Sequence, residues 1–252
     1  MGYVFNFYDA RAYDNLLQNP SNRFALSLET GLMIDLFKPE KGRTLLDIGC
    51  GTGTGLLGYL EMGLQVTGID PSPYMLDIAA GKVKNRADLH RGFAERLPFD
   101  DNFFHYASLI TTLEFVEEPK KALEEAFRVT KDRVFIGVLN RYALKSFQRR
   151  VKGVFTSTIF NHAQFFSIWE LKQIIKTILG DVPLSWGTVC QFPFSSYRFV
   201  SMLERNNIIQ KSPFGAFIGM VVIPVPRYKT TALPVKCRVN HSIGAVEGFV
   251  QQ

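Results

Sequence analysis

Cysteine is scarce in this chain, and long hydrophobic runs are missing. Its 252 residues include three cysteines, and Cys50, Cys190 and Cys237 lie too far apart in sequence to suggest a disulfide framework or a metal knuckle. No run of eighteen apolar residues is present, and the N-terminal stretch has neither a cationic n-region nor an apolar h-region. We therefore expect a cytoplasmic protein that is neither exported nor membrane-spanning.

The sequence also lacks internal repeats, low-complexity tracts and the arrangement of Ser, His and Asp that hydrolases use. The absence of metal-ligand spacing predicts that no metal is bound. The length of the chain allows one α/β domain with a sizeable core.

Charge is divided unevenly along the chain, although the net charge is only +6. Residues 1–119 carry 10 Lys and Arg against 16 Asp and Glu, whereas residues 120–252 carry 19 against 7. A basic excess of this kind suits an acidic substrate, an anionic membrane surface or nucleic acid. It is equally compatible with a solvated surface that has no partner.

The strongest signal is a short apolar run followed by alternating glycines, TLLDIGCGTGTG, from Thr44 to Gly55. The run predicts a strand buried on both faces, and a helix is predicted to begin near Thr54. Glycines at such a turn let the backbone adopt positive φ and let a ligand approach closely. We therefore expect a nucleotide-type ligand over the carboxyl end of this strand.

The spacing of these glycines distinguishes between nucleotide ligands. Counting from Gly49 or from Gly51 puts Thr54 or Leu56 where a dinucleotide fingerprint requires glycine. A nicotinamide-dependent oxidoreductase is therefore disfavoured. Asp47 would repel a pyrophosphate, but it suits a ligand that carries the ammonium group of an amino acid.

The motif Asp47-Ile48-Gly49-Cys50-Gly51-Thr52-Gly53 resembles the first motif, D-x-G-x-G-x-G, of the class I S-adenosylmethionine-dependent methyltransferases. Within that family the chain is most similar to the small-molecule group close to methyltransferase type 11. The resemblance implies S-adenosylmethionine as the cofactor, with contacts from Asp47, Gly49, Cys50, Gly51 and Gly53.

A second acid, Asp70, follows the predicted strand from Gln65 to Ile69, where a carboxylate can accept hydrogen bonds from both ribose hydroxyls. The stretch GIDPSPYML resembles the second motif of the family. The resemblance implies that the residues after the acid pack against adenine, namely Pro71, Ser72 and Met75. Met75 is equally compatible with a position in the core.

The loop after the third predicted strand, GFAERLPF, resembles the adenine-binding loop of the family, usually G-D-A-E-x-L-P-F. The resemblance implies cofactor contacts from Phe93, Ala94 and Glu95. Phe93 departs from the pattern, because the family commonly has Asp or Asn there to accept from the exocyclic amine. Either Phe93 stacks on the purine and the amine binds another group such as Glu95, or adenine is held more weakly. We favour the first alternative.

The strand predicted from Phe104 to Ile110 leads into Thr111-Thr112-Leu113-Glu114. In related enzymes this segment reads L-H-H and borders the transferred methyl, which implies that Ile110 and Thr111 contact the cofactor. Glu114 takes the place of the first histidine and is the candidate catalytic base. A carboxylate here could equally cap a helix or pair with Arg.

The aromatic N-terminal stretch, residues 1–20, either forms a flap over a ligand or packs across the sheet edge. In a group of small-molecule methyltransferases that this region resembles, a Tyr-Asp pair and a glutamate on the next helix border the cofactor. Tyr13 with Asp14, and Glu29, occupy matching places.

The order of predicted elements is β/α repeated five times, which predicts a parallel, right-handed, doubly wound α/β sheet. Two further strands, near 184–190 and 216–223, would add an antiparallel hairpin. The resemblance implies a seven-stranded, mostly parallel sheet of the Rossmann-like methyltransferase fold. We expect a single domain over 1–252. Its segments are an N-terminal cap (1–43), a cofactor-binding core (44–140), an insert or lid (141–166), a last helix and hairpin (167–225) and a tail (226–252).

These observations predict a methyltransferase that moves a methyl group by in-line displacement to a small organic or lipid-like acceptor. Residues 141–152 form a cationic amphipathic segment that suits a lid, a weak contact with an anionic membrane, or ordinary surface packing. The alternatives are an RNA-directed methyltransferase, disfavoured because no RNA-binding domain is recognisable, and a non-catalytic methyltransferase-like module. Neither a nucleic-acid partner nor any particular oligomeric state is predicted.

Overall fold

The computed structural model describes residues 2–143, 163–192, 202–204 and 206–225. The strands are β1 (Thr44–Ile48), β2 (Gln65–Asp70), β3 (Asp88–Arg91), β4 (Phe104–Ile110), β5 (Thr130–Leu139), β6 (Leu184–Val189) and β7 (Phe217–Val222). The described helices are α1 (Phe7–Gln18), α2 (Pro20–Phe37), α3 (Thr54–Glu61), α4 (Pro73–Val83), α5 (Pro119–Val129), α6 (Ile168–Leu179) and the short α7 (Asn207–Gln210), with a 3-10 turn over Arg141–Ala143.

The seven strands form one sheet in the order β3-β2-β1-β4-β5-β7-β6. The first five strands are parallel, whereas β7 runs antiparallel to both β5 and β6. The predicted fold class, a doubly wound and mostly parallel sheet with a terminal antiparallel hairpin, is confirmed.

Strand β1 lies in the middle of the sheet, and its sequence suits that position. Leu45, Leu46 and Ile48 are fully buried, and the strand pairs with β2 on one side and β4 on the other. Helix α3 begins at Thr54, as predicted. Its N-cap is Gly53, with φ of 76°, and a Cβ there would lie 2.9 Å from the Cβ of Ala79. Gly53 therefore lets α3 pack closely against α4.

Helices cover both faces of the sheet. Apolar side chains of α2 and α3 pack on one face, and those of α5 and α6 pack on the other. Leu32 of α2 fills the space above two strand glycines, because a Cβ on Gly187 or Gly219 would lie within 2.9 Å of its side chain. This contact fixes α2 over β6 and β7.

Several element boundaries differ from the predicted ones. Strand β5 begins at Thr130, directly after α5, whereas the apolar run that predicts this strand, residues 134–139, begins only at Val134. The Thr130 hydroxyl donates to the Ala126 carbonyl, which lets one residue end the helix and begin the strand without a loop. The last two strands are each slightly shorter than predicted.

Some predictions fall on residues outside the described ranges. These are most of the insert over 141–166, most of the amphipathic segment 141–152, most of a helix near 197–207, and the tail from 226 onwards. Within the described ranges, every helix is too short or too polar to cross a bilayer.

Candidate functional site

A cavity of about 200 Å³ opens at the carboxyl ends of β1, β2, β3 and β4. Strands β1 and β4 are neighbours at the point where the strand order reverses, which is where doubly wound sheets bind their ligands. Most predicted site residues line this cavity. They are Tyr13, Asp47, Gly49, Cys50, Gly51, Asp70, Pro71, Met75, Phe93, Ala94, Glu95, Ile110 and Thr111.

Three predicted site residues, Gly53, Ser72 and Glu114, are not among the residues that line the cavity. Gly53 serves the packing of α3 described above. The Ser72 side chain caps α4 by accepting from the Met75 N–H, and it donates to the Phe5 carbonyl at 2.6 Å. Ser72 therefore positions its neighbours.

The glycine loop, residues 49–53, has positive φ at three glycines, and two of these, Gly49 and Gly51, line the cavity. Gly49 has φ of 74°, and a Cβ there would lie 2.5 Å from the side chain of Thr112. Thr112 is itself held by a 2.8 Å bond from its hydroxyl to the Ile48 carbonyl. Gly51 has φ of 52°, and within 4 Å its Cβ would meet only the Met75 sulfur, at 4.0 Å. The backbone at Gly51 is therefore open to the cavity.

Asp70 ties the glycine loop to the start of α4. Its Oδ2 accepts from the Gly51 N–H at 3.0 Å, and its Oδ1 accepts from the Ser72 N–H at 2.9 Å. Burial raises the pKa of the Asp70 carboxyl, and these two N–H groups act in the opposite direction. Each oxygen keeps a lone pair, so a ligand can still donate to this carboxylate.

Asp47 lies beneath the glycine loop and is 5% exposed. Its Oδ1 accepts from the Ser108 hydroxyl at 2.6 Å. Burial raises the pKa of the carboxyl to about 6. The carboxylate therefore lies at the floor of the cavity, where a donor on a ligand can reach it.

Phe93 and Glu95 lie at the far rim of the cavity. Phe93 is 37% exposed, which leaves its ring available for stacking. Glu95 accepts from the Glu117 N–H through Oε1 at 3.0 Å, so its second oxygen can still accept a hydrogen bond. Met75 is 3% exposed and lines the cavity, so it belongs to both the core and the site.

The N-terminal residues cover the cavity on one side. The Tyr3 N–H donates to the Phe115 carbonyl at 2.8 Å. The Phe5 ring lies edge-on to Tyr3, Phe115 and Tyr13, with centroid distances of 5.3, 5.0 and 6.0 Å. We call these four residues the aromatic wall. The N-terminal stretch thus contributes directly to the cavity, and its role as a flap over a ligand stays a prediction.

Tyr13 and Asp14 point to different partners although they are neighbours in sequence. Tyr13 lines the cavity, and burial raises its pKa to about 12. Asp14 pairs with Lys82 of α4, whose ammonium also donates to the hydroxyls of Thr52 and Thr54. This ion pair anchors α1 beside the glycine loop.

Glu114 is fully buried. Its Oε1 accepts from the Leu139 N–H at 2.6 Å, and its Oε2 has no hydrogen-bond partner within the described part of the chain. Burial raises the pKa of the carboxyl to about 8. The side chain therefore links the segment after β4 to the end of β5. Its role as a catalytic base stays a prediction.

The buried carboxyls predict how stability depends on pH. Burial raises the pKa values of Glu29, Asp47 and Glu114 to about 7, 6 and 8. The folded state keeps protons that the unfolded chain would release, so these groups lower the free energy of unfolding as the pH rises from about 4.5 to about 8. The loss is at most about 1.4 kcal/mol per unit of pKa shift.

Replacing Glu114 by Gln removes one of these titrating groups. The melting temperature of Glu114→Gln relative to the parent chain should therefore increase across that pH range. The exposed Glu61 at the end of α3 supplies the control, since Glu61→Gln should run parallel to the parent. A constant difference between Glu114→Gln and the parent would contradict the raised pKa.

Sequence reasoning missed several residues that line the cavity, among them Tyr3, Met33, Phe115 and Phe217. Phe217 could have been found from topology. An antiparallel last strand begins at the edge where the parallel strands end, so its first residue lies at the site.

Comparison with known proteins identifies the central part of the chain. Residues 46–136 match the model of a family described as "Methyltransferase domain". Over 100 residues the chain is 39% identical to a demethylmenaquinone methyltransferase from Renibacterium salmoninarum, an alignment that covers 40% of this chain and 42% of that protein. The chain thus spans about two fifths of the length of this relative.

Solved structures extend the similarity to the whole fold. A Thermotoga maritima S-adenosylmethionine-dependent methyltransferase, described as a "possible histamine N-methyltransferase", superposes with a TM-score of 0.62 and 25% identity, covering 84% of this chain and 94% of that one. Phosphoethanolamine N-methyltransferase 2 from Haemonchus contortus, solved with S-adenosylmethionine, gives a TM-score of 0.61 at 17% identity, with coverage of 87% and 57%. These matches confirm the predicted fold, and residues 46–136 match a family of the predicted kind.

Proposed function

We propose that the protein transfers a methyl group to a small-molecule acceptor. The premise is that residues 46–136 form a domain of the class I S-adenosylmethionine-dependent methyltransferases. The observation that carries this proposal is the joint placement of the glycine loop, Asp47 and Asp70 around one cavity. A dinucleotide would bring its pyrophosphate close to the Asp47 carboxylate, which would repel it.

The residues present fit S-adenosylmethionine. The open backbone at Gly51 leaves space that a Cβ would fill, and the nearby Asp47 carboxylate suits an ammonium group. We assign the ribose hydroxyls to Asp70, since its oxygens retain lone pairs. We assign adenine to Phe93 and Ala94 with Met75 beneath, and its exocyclic amine to Glu95.

When bound, S-adenosylmethionine supplies a methyl group on a positively charged sulfur. The chain itself must hold the acceptor about 3 Å from that carbon and exclude water. The aromatic wall serves the second requirement, because the hydrogen bonds Tyr3 to Phe115 and Ser72 to Phe5 close the N-terminal stretch over the cavity. No general base is required for such a displacement when the acceptor atom already has a free lone pair.

A small acceptor is supported by the site and by the relatives. The aromatic wall supplies the apolar surface that small-molecule pockets use. The Renibacterium relative is named for demethylmenaquinone, which is a small molecule. The contact of 141–152 with an anionic membrane, the lack of a nucleic-acid partner, the cytoplasmic location and the lack of a bound metal all stay predictions.

The proposal is tested first by calorimetric titration of the purified chain with S-adenosylmethionine and with S-adenosylhomocysteine. We expect both to bind, and NAD⁺ to show no binding at the same concentrations. Transfer of labelled methyl from S-adenosylmethionine to a panel of amines, phenols and quinols should then identify the acceptor. Binding of NAD⁺ alone would overturn the proposal in favour of an oxidoreductase, and cofactor binding without transfer to any acceptor would favour a non-catalytic module.

A further inference from the structure

The described lining of the cavity is acidic and contains no lysine, arginine or histidine. Four carboxyl side chains line it, those of Glu29, Asp47, Asp70 and Glu95. The proposed cofactor site uses the last three. The resemblance places Glu29 beside the cofactor, and no part of the cofactor has been assigned to its carboxylate. The basic excess of the second half of the chain does not extend to the described part of this cavity.

Glu29 and Asp70 reach the cavity from different elements of the fold. Asp70 ends β2, whereas Glu29 belongs to α2, which packs against β5, β6 and β7. Leu32, one turn later on the same helix, is fixed over Gly187 and Gly219. The β2 and β5 strands are separated by β1 and β4 in the sheet, so the two acids belong to elements that lie at different parts of it.

No hydrogen bond or ion pair reaches the Glu29 carboxylate from any residue that the structure describes. Burial raises the pKa of this carboxyl to about 7. A carboxylate that is removed from water without a compensating donor costs free energy. A ligand that brings a cation to this position would offset that cost.

The aromatic wall lines the same cavity as Glu29. Tyr13 and Glu29 both line the cavity, and after burial the charge of Glu29 contributes to the raised pKa of the Tyr13 hydroxyl, as the charges of Glu114 and Asp70 also do. Tyr13 in turn contacts Phe5, and Phe5 contacts Phe115. An acid and several aromatic rings in one cavity form a combination that suits ammonium groups, because aromatic rings attract cations over their faces.

We propose that the acceptor is an amine, and that Glu29 binds its ammonium group between the carboxylate and the aromatic wall. This proposal rests on the proposed methyltransferase function. The described lining of the cavity has no basic side chain to pair with a phosphate or carboxylate at this position, which favours an amine.

In this arrangement Glu29 also accepts the proton that the acceptor amine must lose. The Glu29 carboxylate takes one proton from the acceptor ammonium and leaves a neutral amine with a free lone pair. The nitrogen lone pair forms the bond to the methyl carbon while the bond from that carbon to sulfur breaks, with its electron pair remaining on sulfur. The products are a methylated ammonium, a neutral thioether and protonated Glu29, which returns its proton to solvent.

The experiment compares matched probes on the full chain saturated with S-adenosylhomocysteine. Benzylamine and hexylamine are titrated beside benzyl alcohol and hexanol at a pH of about 8, where the carboxyl is ionised and the amines are protonated. We expect each amine to bind at least about tenfold more tightly than its alcohol. Glu29→Gln should lose that preference, while its affinity for S-adenosylhomocysteine stays within about twofold of the parent.

Two further variants keep the test decisive. Asp35→Asn removes an exposed carboxylate from the same helix and should leave every affinity unchanged. Glu29→Asp retains the charge and should keep part of the amine preference, which a fold defect would not do. Equal or undetectable binding of amines and alcohols to the parent chain would overturn the proposal, as would a parallel loss of S-adenosylhomocysteine binding in Glu29→Gln. Failure of the parent to bind S-adenosylhomocysteine would instead refute the methyltransferase function.

Discussion

Replacing Gly51 by alanine is expected to lower the affinity for S-adenosylhomocysteine by about 10- to 100-fold, with little loss of fold stability. The backbone at Gly51 has φ of 52°, a conformation that costs alanine about 1 kcal/mol. The new methyl group would meet no protein atom nearer than the Met75 sulfur at 4.0 Å. It would instead occupy space that the cofactor needs, so the effect should fall on binding.

Gly42 supplies the matched control for this variant. It also has positive φ, 83°, and a Cβ there would meet nothing within 4 Å. Gly42→Ala should therefore show a similar loss of unfolding free energy but unchanged affinity. Calorimetry with S-adenosylhomocysteine and urea denaturation of both variants measure the two effects separately. Equal affinities in Gly51→Ala and Gly42→Ala would show that the cofactor does not approach the loop at Gly51.

Replacing Asp70 by alanine is the second change for which we expect a large effect. It would remove the group assigned to the ribose hydroxyls, and hydrogen bonds to a charged group contribute about 1.5–3 kcal/mol. The variant would also leave the N–H groups of Gly51 and Ser72 without their acceptor, which loosens the glycine loop. We expect the affinity for S-adenosylhomocysteine to fall by at least about 10- to 100-fold.

Asp77 provides the comparison for Asp70, because it is an exposed carboxylate on the adjoining helix α4. Asp77→Ala should bind S-adenosylhomocysteine as the parent does. If Asp70→Ala retained the parent's affinity in the same calorimetric titration, the placement of the ribose at the end of β2 would be wrong.

The parts of the fold that sequence predicted well are those determined by local pattern. Strand β4 has the predicted boundaries, and α3 begins at the predicted Thr54. The glycine loop was found for the same reason, because the residues that form it are consecutive in the sequence. Its neighbour Asp70 was found from the strand that precedes it.

The side chains that sequence reasoning placed less well depend on contacts between distant residues. Glu114 was singled out by its position after β4, yet its carboxyl binds Leu139, 25 residues away. Ser72 was expected at adenine, and its hydroxyl donates to Phe5, 67 residues away. No local pattern encodes such pairs, since they arise only when the strands and the N-terminal stretch come together.

The close packing of the first residues has a practical consequence for anyone who prepares this protein. A Cβ on Gly2 would lie 2.5 Å from the Phe115 carbonyl oxygen. The start of the described chain therefore packs closely against the segment that follows β4. Trimming residues 2–5 would keep Asn6, whose side chain caps helix α1, while opening one side of the cavity. If such a shortened protein is inactive, we expect it to be folded, with a cavity that water can enter. A purification tag is therefore better placed at the other end of the chain.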